Sequence, residues 1–180
     1  MRNDMKCILL TKEEIAKRVC ELGNQIAEEY KNEDAPLMIC ILKGSIVFFA
    51  DLIREIDLPL KIEFMTASSY GSATVSSGRV KVVSELDNKI VGKNVILVED
   101  IIDSGRTIAY IKNDMLTKGV KSLKVCALLD KPDRRVSDVH ADYVGFIIPD
   151  EFVVGYGLDF DQQYRNFPDI GVLKPEMYAN

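Results

Sequence analysis

Apolar residues near the start of the chain recur every three or four positions, which is the spacing of one face of a helix. The members of this stripe are Ile15, Val19, Leu22, Ile26 and Tyr30. Just before it, Thr11 and Glu14 are spaced as in a capping box, where hydroxyl and carboxylate each satisfy a backbone amide of the other residue. The pattern predicts a helix from this box to Tyr30, and residues 32–36 end it.

The rest of the chain alternates between short apolar runs and stretches of helical character. Strands are predicted at residues 37–42, 60–66, 79–86, 94–98, 122–129 and 141–148, and helices at residues 44–56 and 105–118. The tail after Pro149 shows no regular period and is predicted to be irregular. Strands alternating with helices predict an α/β fold: a single domain over residues 1–180 with a mostly parallel central sheet and helices on both faces.

Composition narrows the classes of function. The 180 residues carry a formal net charge of -5, which argues against broad nucleic-acid binding but leaves room for a small basic pocket. The four cysteines and one histidine lack zinc-ligand spacing, and we interpret the thiols as reduced groups of a cytoplasmic protein. No apolar run approaches the ~20 residues of a membrane span, so we expect a soluble protein without a membrane partner.

Polar residues cluster where three predicted strands end, at residues 43–45, 99–107 and 131–135. Ligands of open α/β sheets bind at that edge. Within the second cluster, Gly105 permits a tight turn, the hydroxyls of Ser104 and Thr107 add donors, and a helix begins there, which together suit a phosphate monoester. The chain has neither a Walker loop nor a G-x-G-x-x-G motif, so a nucleoside-triphosphate kinase ranks low.

Three carboxylates, Glu99, Asp100 and Asp103, accompany this phosphate site. Negative charge beside a phosphate makes sense if the ligand also carries a vicinal diol, or if the carboxylates help to hold Mg²⁺. The alternative is that Asp103 caps a helix while the other two end a strand. Capping explains one acidic residue well and three within five positions poorly.

The segment from Val98 to Thr107 resembles the phosphoribosyl-pyrophosphate motif of type I phosphoribosyltransferases, in the form typical of their hypoxanthine-guanine branch. Residues 42–45, 68–71, 129–132 and 150–159 match that branch in the same order. The resemblance implies the type I fold, with a small hood built from the N- and C-terminal segments. It also implies purine salvage: Mg²⁺-dependent transfer of 5-phosphoribosyl from 5-phosphoribosyl 1-pyrophosphate to hypoxanthine or guanine, giving inosine or guanosine monophosphate and pyrophosphate.

The resemblance also implies roles for individual residues. Asp103 would be the candidate general base at N7 of the purine. The 5-phosphate and ribose would be held by Glu99, Asp100, Asp103, Ser104, Gly105, Arg106 and Thr107. Pyrophosphate would meet Lys43, Gly44 and Arg165, and the lid would include Ser69 and Tyr70. The purine would meet Lys131, Phe152, Val153 and Asp159, and Mg²⁺ would lie near Glu99, Asp100 and Asp159.

Three of these roles have plain alternatives. Lys43 could be a solvated lysine at a strand end, the segment of Ser69 and Tyr70 could be an ordinary surface loop, and Phe152 could belong to the core. In the family, the loop that carries Lys43 contains a non-proline cis peptide. Lys131 is expected to donate to the purine O6, which makes adenine a poor substrate.

The chain departs from the pattern that we associate with bacterial members of this family at residues 84–86, Phe160 and Asp169. The last two are expected near the base and the pyrophosphate, so the sequence does not fix the relative preference among purines. Competing interpretations are a regulatory protein that binds the donor without turnover, and an enzyme acting on xanthine or uracil. The resemblance further suggests a homo-oligomer, either a dimer or a tetramer.

Overall fold

The computed structural model of the chain describes residues 1–69, 80–83 and 86–178. Its strands are β1 (Met5–Leu10), β2 (Leu37–Leu42), β3 (Lys61–Ser69), β4 (Val80–Val83), β5 (Asn94–Ile102), β6 (Ser122–Asp130), β7 (Tyr143–Ile147), β8 (Val153–Val154) and β9 (Ile170–Leu173). Its helices are α1 (Lys12–Tyr30), α2 (Ile46–Arg54), α3 (Asp87–Ile90) and α4 (Arg106–Thr117). Single 3-10 turns lie at Arg2–Asp4, Pro132–Arg134 and Pro175–Met177.

Six strands form the central sheet in the order β4-β3-β2-β5-β6-β7. The pairs from β3 to β7 are parallel, and β4 joins the edge antiparallel to β3. The carboxyl ends of β2, β5 and β6 therefore meet at one edge, as the polar clusters predicted. No helix in the described ranges is long and apolar enough to cross a membrane.

The two faces of the sheet are covered by different helices. Met38 and Cys40 of β2 point into a core that includes the apolar stripe of α1 and residues of α2. Their neighbours Ile39 and Ile41 point into a second core, with Ile108 of α4 and other residues of that helix. The alternation follows from the period of two along a strand, and it confirms the predicted helices on both faces.

A smaller antiparallel sheet, in the order β1-β9-β8, joins the two ends of the chain and forms the predicted hood. The prediction of an irregular tail after Pro149 was therefore wrong in part. The tail contains β8 and β9, of two and four residues. Such short strands have little period of their own, and β1, the partner of β9, lies far away in the sequence.

Asp169 anchors this hood. Its side chain, in a residue only 3% exposed, accepts a hydrogen bond from Arg2 Nη2 at 2.5 Å and another from the backbone amide of Lys12 at 3.0 Å. The amide of Lys12 is one of the free donors at the start of α1, so the carboxylate also satisfies a helix terminus. The side chain at this departure from the family pattern thus binds the N-terminal segment and the start of α1.

Candidate active site

A cavity of ≈ 220 Å³ opens at the carboxyl edge of the central sheet. It is lined by seven predicted site residues: Lys43, Gly44, Glu99, Asp100, Thr107, Asp159 and Arg165. The peptide bond between Leu42 and Lys43 is cis, as expected for this loop. Thus three segments far apart in sequence converge on one small, polar space.

Larger grooves lie elsewhere on the molecule. One of ≈ 570 Å³ runs along the amino ends of the strands beside Lys61 and Lys93, and another of ≈ 480 Å³ lies between α1 and α2 beside Tyr156. Neither is lined by a predicted site residue. We place the candidate site in the smaller cavity because the convergent charged groups lie there.

Glu99 and Asp100 bring two carboxylates into this space at the end of β5. Burial raises the pKa of Glu99 well above its ordinary range, and the neighbouring charge of Asp100 adds to the shift. Burial likewise raises the pKa of Asp100 to about 6, although the backbone amide of Ile101, 2.7 Å from Oδ1, and the charge of Arg165 oppose it. Glu99 Oε2 is buried without a hydrogen-bond partner. An orphaned, buried carboxylate oxygen suits a cation ligand.

Asp159 and Arg165 form an ion pair at the opposite wall, with Oδ1 2.7 Å from Nη2. Arg165 also donates through Nη1 to the carbonyl of Gly157 at 2.7 Å, and the amide of Gln162 donates to Asp159 Oδ2 at 2.9 Å. Within the described part of the chain, no three His, Cys, Asp or Glu residues are grouped closely enough to hold a metal ion. Mg²⁺ commonly binds one or two carboxylates together with ligand oxygens and water, so this finding leaves Glu99 and Asp100 suitable.

The loop between β5 and α4 has the geometry of an anion site. Gly105 adopts φ +78, and α4 begins at the next residue. The carbonyl of Ser104 accepts hydrogen bonds from the amides of Val136 at 3.1 Å and Ser137 at 3.2 Å, which hold the loop against the segment after β6. The backbone amides at the start of α4 therefore have a fixed direction.

Arg135 supports the same loop, a role that sequence analysis did not assign. Its Nε donates to the carbonyl of Asp103 at 3.2 Å, and its Nη2 pairs with Asp130. The two paired side chains are 12% and 14% exposed. A β-carbon on Gly105 would lie 2.8 Å from Arg135 Cδ, so the glycine lets this arginine pass. The polar cluster at residues 131–135 was the available signal.

Lys131 follows β6 and is almost buried, with 7% of the residue exposed. Its Nζ donates to the carbonyl of Glu151 at 2.6 Å and lies 3.7 Å from Asp150 Oδ1. Its backbone amide donates to the carbonyl of Ile102 at 2.9 Å, which places it beside the end of β5. A buried lysine fixed at the carboxyl edge is uncommon as a purely structural feature.

Phe152 is 39% exposed, so it is not a core residue. Its ring stacks on Tyr178 with centroids 4.8 Å apart and meets Phe160 edge-on at 5.9 Å. Val153, by contrast, is buried at 7% exposure in β8. Tyr178 had no sequence signal, because nothing local links the C-terminus to residue 152.

Four predicted residues are less informative. Lys43 and Arg106 are exposed. Ser69 ends β3, but its side chain and the whole of Tyr70 fall outside the described residues. The lid therefore stays a prediction.

Comparison with known proteins gives consistent results. A family model described as the phosphoribosyl transferase domain matches residues 8–161. The hypoxanthine-guanine phosphoribosyltransferase of Bacillus subtilis is 49% identical over 180 residues, which cover 100% of this chain and 99% of that protein. The corresponding protein of Mycobacterium avium is 47% identical, covering 97% of this chain and 89% of the relative.

Solved structures agree with this result. The crystal structure of a hypoxanthine phosphoribosyltransferase from Staphylococcus aureus has a TM-score of 0.93 and 48% identity, covering 100% of this chain and 97% of that one. A hypoxanthine-guanine phosphoribosyltransferase from Bacillus anthracis, with a HEPES molecule in the active site, has a TM-score of 0.88 and 48% identity, covering 94% and 99%. The resemblance seen in the sequence is thus confirmed. The chain belongs to the phosphoribosyl transferase family, in its hypoxanthine-guanine branch.

Proposed function

We propose that this chain salvages purines by transferring 5-phosphoribosyl from 5-phosphoribosyl 1-pyrophosphate to hypoxanthine or guanine. The observation that carries the proposal is the convergence of Glu99, Asp100, Lys43 and Arg165 on one cavity. Such a site combines acceptors for a diol with cations for a pyrophosphate. Relatives of nearly the same length are hypoxanthine-guanine phosphoribosyltransferases, which supports the same reaction.

In this reaction the bond from the ribose C1 to the pyrophosphate oxygen breaks, and a bond from C1 to N9 of the purine forms. Positive charge develops on the sugar, the electron pair leaves with pyrophosphate, and the purine loses one N–H proton. Asp103 is the candidate acceptor of that proton at N7, since a carboxylate in hydrogen-bond reach can accept or hold it. The enzyme contributes orientation and electrostatic stabilisation, and no covalent intermediate is needed.

The donor's charges require compensation. Glu99 and Asp100 would hold Mg²⁺ together with ribose hydroxyls, and Asp159 would contribute to the metal region through water. When bound, Mg²⁺ neutralises charge on the leaving pyrophosphate. Lys43, the Gly44 amide and Arg165 would contact the pyrophosphate itself, the arginine as a planar and permanent charge.

The 5-phosphate would lie at the start of α4. Backbone amides and the Ser104 and Thr107 hydroxyls supply donors there, and Gly105 gives the turn that directs them inward. Arg106 contributes its amide to the same loop. The partial positive charge of a helix N-terminus favours a dianionic ligand.

The purine would lie between the carboxyl edge and the hood. Lys131 would donate to the exocyclic O6, Phe152 would stack on the ring, and Val153 would contact the base through its backbone. A lysine at O6 favours a 6-oxopurine over adenine, whose 6-amino group presents donors to the cation.

The test is an assay of purified protein with the donor, Mg²⁺ and one base at a time: hypoxanthine, guanine, xanthine, adenine or uracil. Nucleotide should form with the first two and disappear when Mg²⁺ is chelated. Turnover with xanthine or uracil alone would redirect the substrate assignment. Tight donor binding without turnover of any base would favour the regulatory interpretation.

The protein should work as a homo-oligomer in the cytoplasm. Ile62 and Phe64 lie two positions apart on β3 and are 43% and 44% exposed, which supplies an apolar surface for a second copy. The four cysteines are free thiols, consistent with a reducing compartment. Sedimentation analysis should show a dimer or a tetramer.

A further inference from the structure

Arg134 connects two acidic residues that belong to different segments at the candidate purine site. Its Nε lies 2.9 Å from Asp103 Oδ1, in the loop after β5. Its Nη1 donates to Asp150 Oδ1 at 3.4 Å, at the entrance to the hood. Arg134 itself ends the 3-10 turn that follows Lys131. No role was predicted for it from the sequence.

The contact with Asp103 engages only one carboxylate oxygen. Oδ1 is buried and makes no hydrogen bond of good geometry, so Arg134 meets it as a charge. The Asp103 side chain as a whole is nevertheless 43% exposed. The exposed area therefore belongs to the remaining atoms of the side chain, Oδ2 among them. Arg134 thus covers one oxygen and leaves the other to meet a ligand.

The same arginine is linked to the other candidate purine contact. Asp150 Oδ1, which accepts from Arg134, also lies 3.7 Å from Lys131 Nζ. Asp103, Arg134, Asp150 and Lys131 form a chain of alternating charge. Its two ends are the groups assigned to N7 and O6, which are adjacent edges of one purine.

Arg135, the neighbouring arginine, cannot serve in the same way. Its guanidinium already pairs with Asp130 and donates to the carbonyls of Asp103 and Val139, and its side chain is 12% exposed. The Arg134 side chain is 52% exposed, and its guanidinium contacts the side-chain carboxylates of Asp103 and Asp150 rather than backbone carbonyls. It can therefore orient a carboxylate without being required for the fold of the loop.

We propose that Arg134 is a positioning residue that orients the Asp103 carboxylate so that Oδ2 faces N7 of the purine. This inference rests on the proposed function. Because the ion pairs are partly exposed and screened, a modest effect is expected, on the order of a three- to five-fold change. Loss of Arg134 should alter recognition of N7 of the base rather than binding of the donor.

A pair of ligands isolates that contact: hypoxanthine, and 7-deazahypoxanthine, in which carbon replaces N7. Arg134→Gln should raise the KM for hypoxanthine roughly three- to five-fold and lower kcat, while changing the Ki of the 7-deaza analogue by less than about 1.5-fold. Arg134→Lys, which keeps the charge, should recover most of the loss. The control Arg54→Gln removes a remote arginine that pairs with Asp51 at 3.3 Å, and should change neither constant.

Equal shifts for both ligands, or no shift, would overturn the inference, since a merely structural arginine has no preference for N7. If Arg134→Gln does not fold, Arg134→Ala takes its place: a shift for hypoxanthine alone supports the inference, and parallel shifts or no shift reject it. Failure of the proposed function looks different, because then the unaltered protein would not convert hypoxanthine at all.

Discussion

Gly44 lies directly beneath the carboxylate of Asp100. A β-carbon built on this glycine would be 1.5 Å from Asp100 Oδ2 and 2.7 Å from its Cγ. Gly157 approaches from the other side, where a β-carbon would lie 2.1 Å from the carbonyl of Gly44. Two glycines thus allow the loop of Lys43 to fit between the end of β5 and the segment that carries Asp159.

Gly44→Ala should reduce kcat/KM by roughly 100-fold, because the new methyl group displaces the Asp100 carboxylate by more than an ångström. Steady-state kinetics with hypoxanthine measures this. Gly92→Ala is the control: its β-carbon meets open space, and its φ of +67 costs roughly 1–2 kcal/mol of stability. That variant should melt earlier and keep its activity. Normal kinetics for Gly44→Ala would mean that Asp100 is not fixed as argued.

Asp103→Asn should lower kcat roughly 10²- to 10⁴-fold, since an amide cannot accept the purine proton. Binding of the donor, measured calorimetrically with Mg²⁺, should stay nearly unchanged because the amides of the phosphate loop remain. Asp133→Asn, in the adjacent exposed turn, controls for the change in charge. Full activity of Asp103→Asn across the pH range would show that the assignment of the base is wrong.

Lys131→Ala should weaken the binding of hypoxanthine and reduce discrimination against adenine. Loss of a hydrogen bond from a charged donor to O6 should lower kcat/KM for hypoxanthine roughly 10- to 100-fold. The informative quantity is the ratio of kcat/KM for hypoxanthine to that for adenine, which should fall. Lys31→Ala removes an exposed lysine just after α1 and should leave the ratio unaltered. An unchanged ratio in Lys131→Ala would remove its role in base selection.

The main sheet was predicted well from the sequence, but the predicted β5 ended too early. The apolar run stops at Val98, whereas the strand continues to Ile102. Glu99 pairs with Ala127 and Ile102 with Asp130 of β6, so the carboxylates belong to the sheet. Polarity marks a strand end only where the side chains meet bulk water. Here they enter a site, which a local pattern cannot distinguish.

Contacts between distant segments explain what the sequence could not supply. The capping box at Thr11 and Glu14 was predictable because both partners lie within one turn. The contact of Arg134 with Asp103 and the stack of Tyr178 on Phe152 depend on how the elements pack. The resemblance identified residues mainly by motif, and it assigned no role to Arg134 or Tyr178.

The raised pKa of Asp100 predicts a dependence of stability on pH. Its ordinary value is 3.8 and its value in the fold about 6, so between these limits the folded state holds a proton that the unfolded state releases. Stability from this carboxyl is present below pH 4 and is lost as the pH rises through 6. In the presence of a chelator, the free energy of unfolding of Asp100→Asn should therefore exceed that of the unaltered protein by about 2–3 kcal/mol at pH 7.5, and by little at pH 4.

Urea denaturation at the two pH values measures that difference. Mg²⁺ with pyrophosphate should stabilise the unaltered protein at pH 7.5 and stabilise Asp100→Asn less, because the carboxylate then has a cation partner. A gain of equal size at both pH values would exclude ionisation as the cause.

Asp169→Ala should destabilise the hood. The residue is 3% exposed and accepts from Arg2 Nη2 at 2.5 Å and from the Lys12 amide at 3.0 Å, so its removal leaves the arginine and the first amide of α1 without this acceptor. The expected loss in the free energy of unfolding is about 1–3 kcal/mol by urea denaturation. Asp138→Ala, whose aspartate side chain is fully exposed, should change it by less than about 0.5 kcal/mol.

Arg2→Ala should cost less when combined with Asp169→Ala than alone, because the two residues share one interaction. Additive losses would show that Asp169 stabilises the hood only through α1.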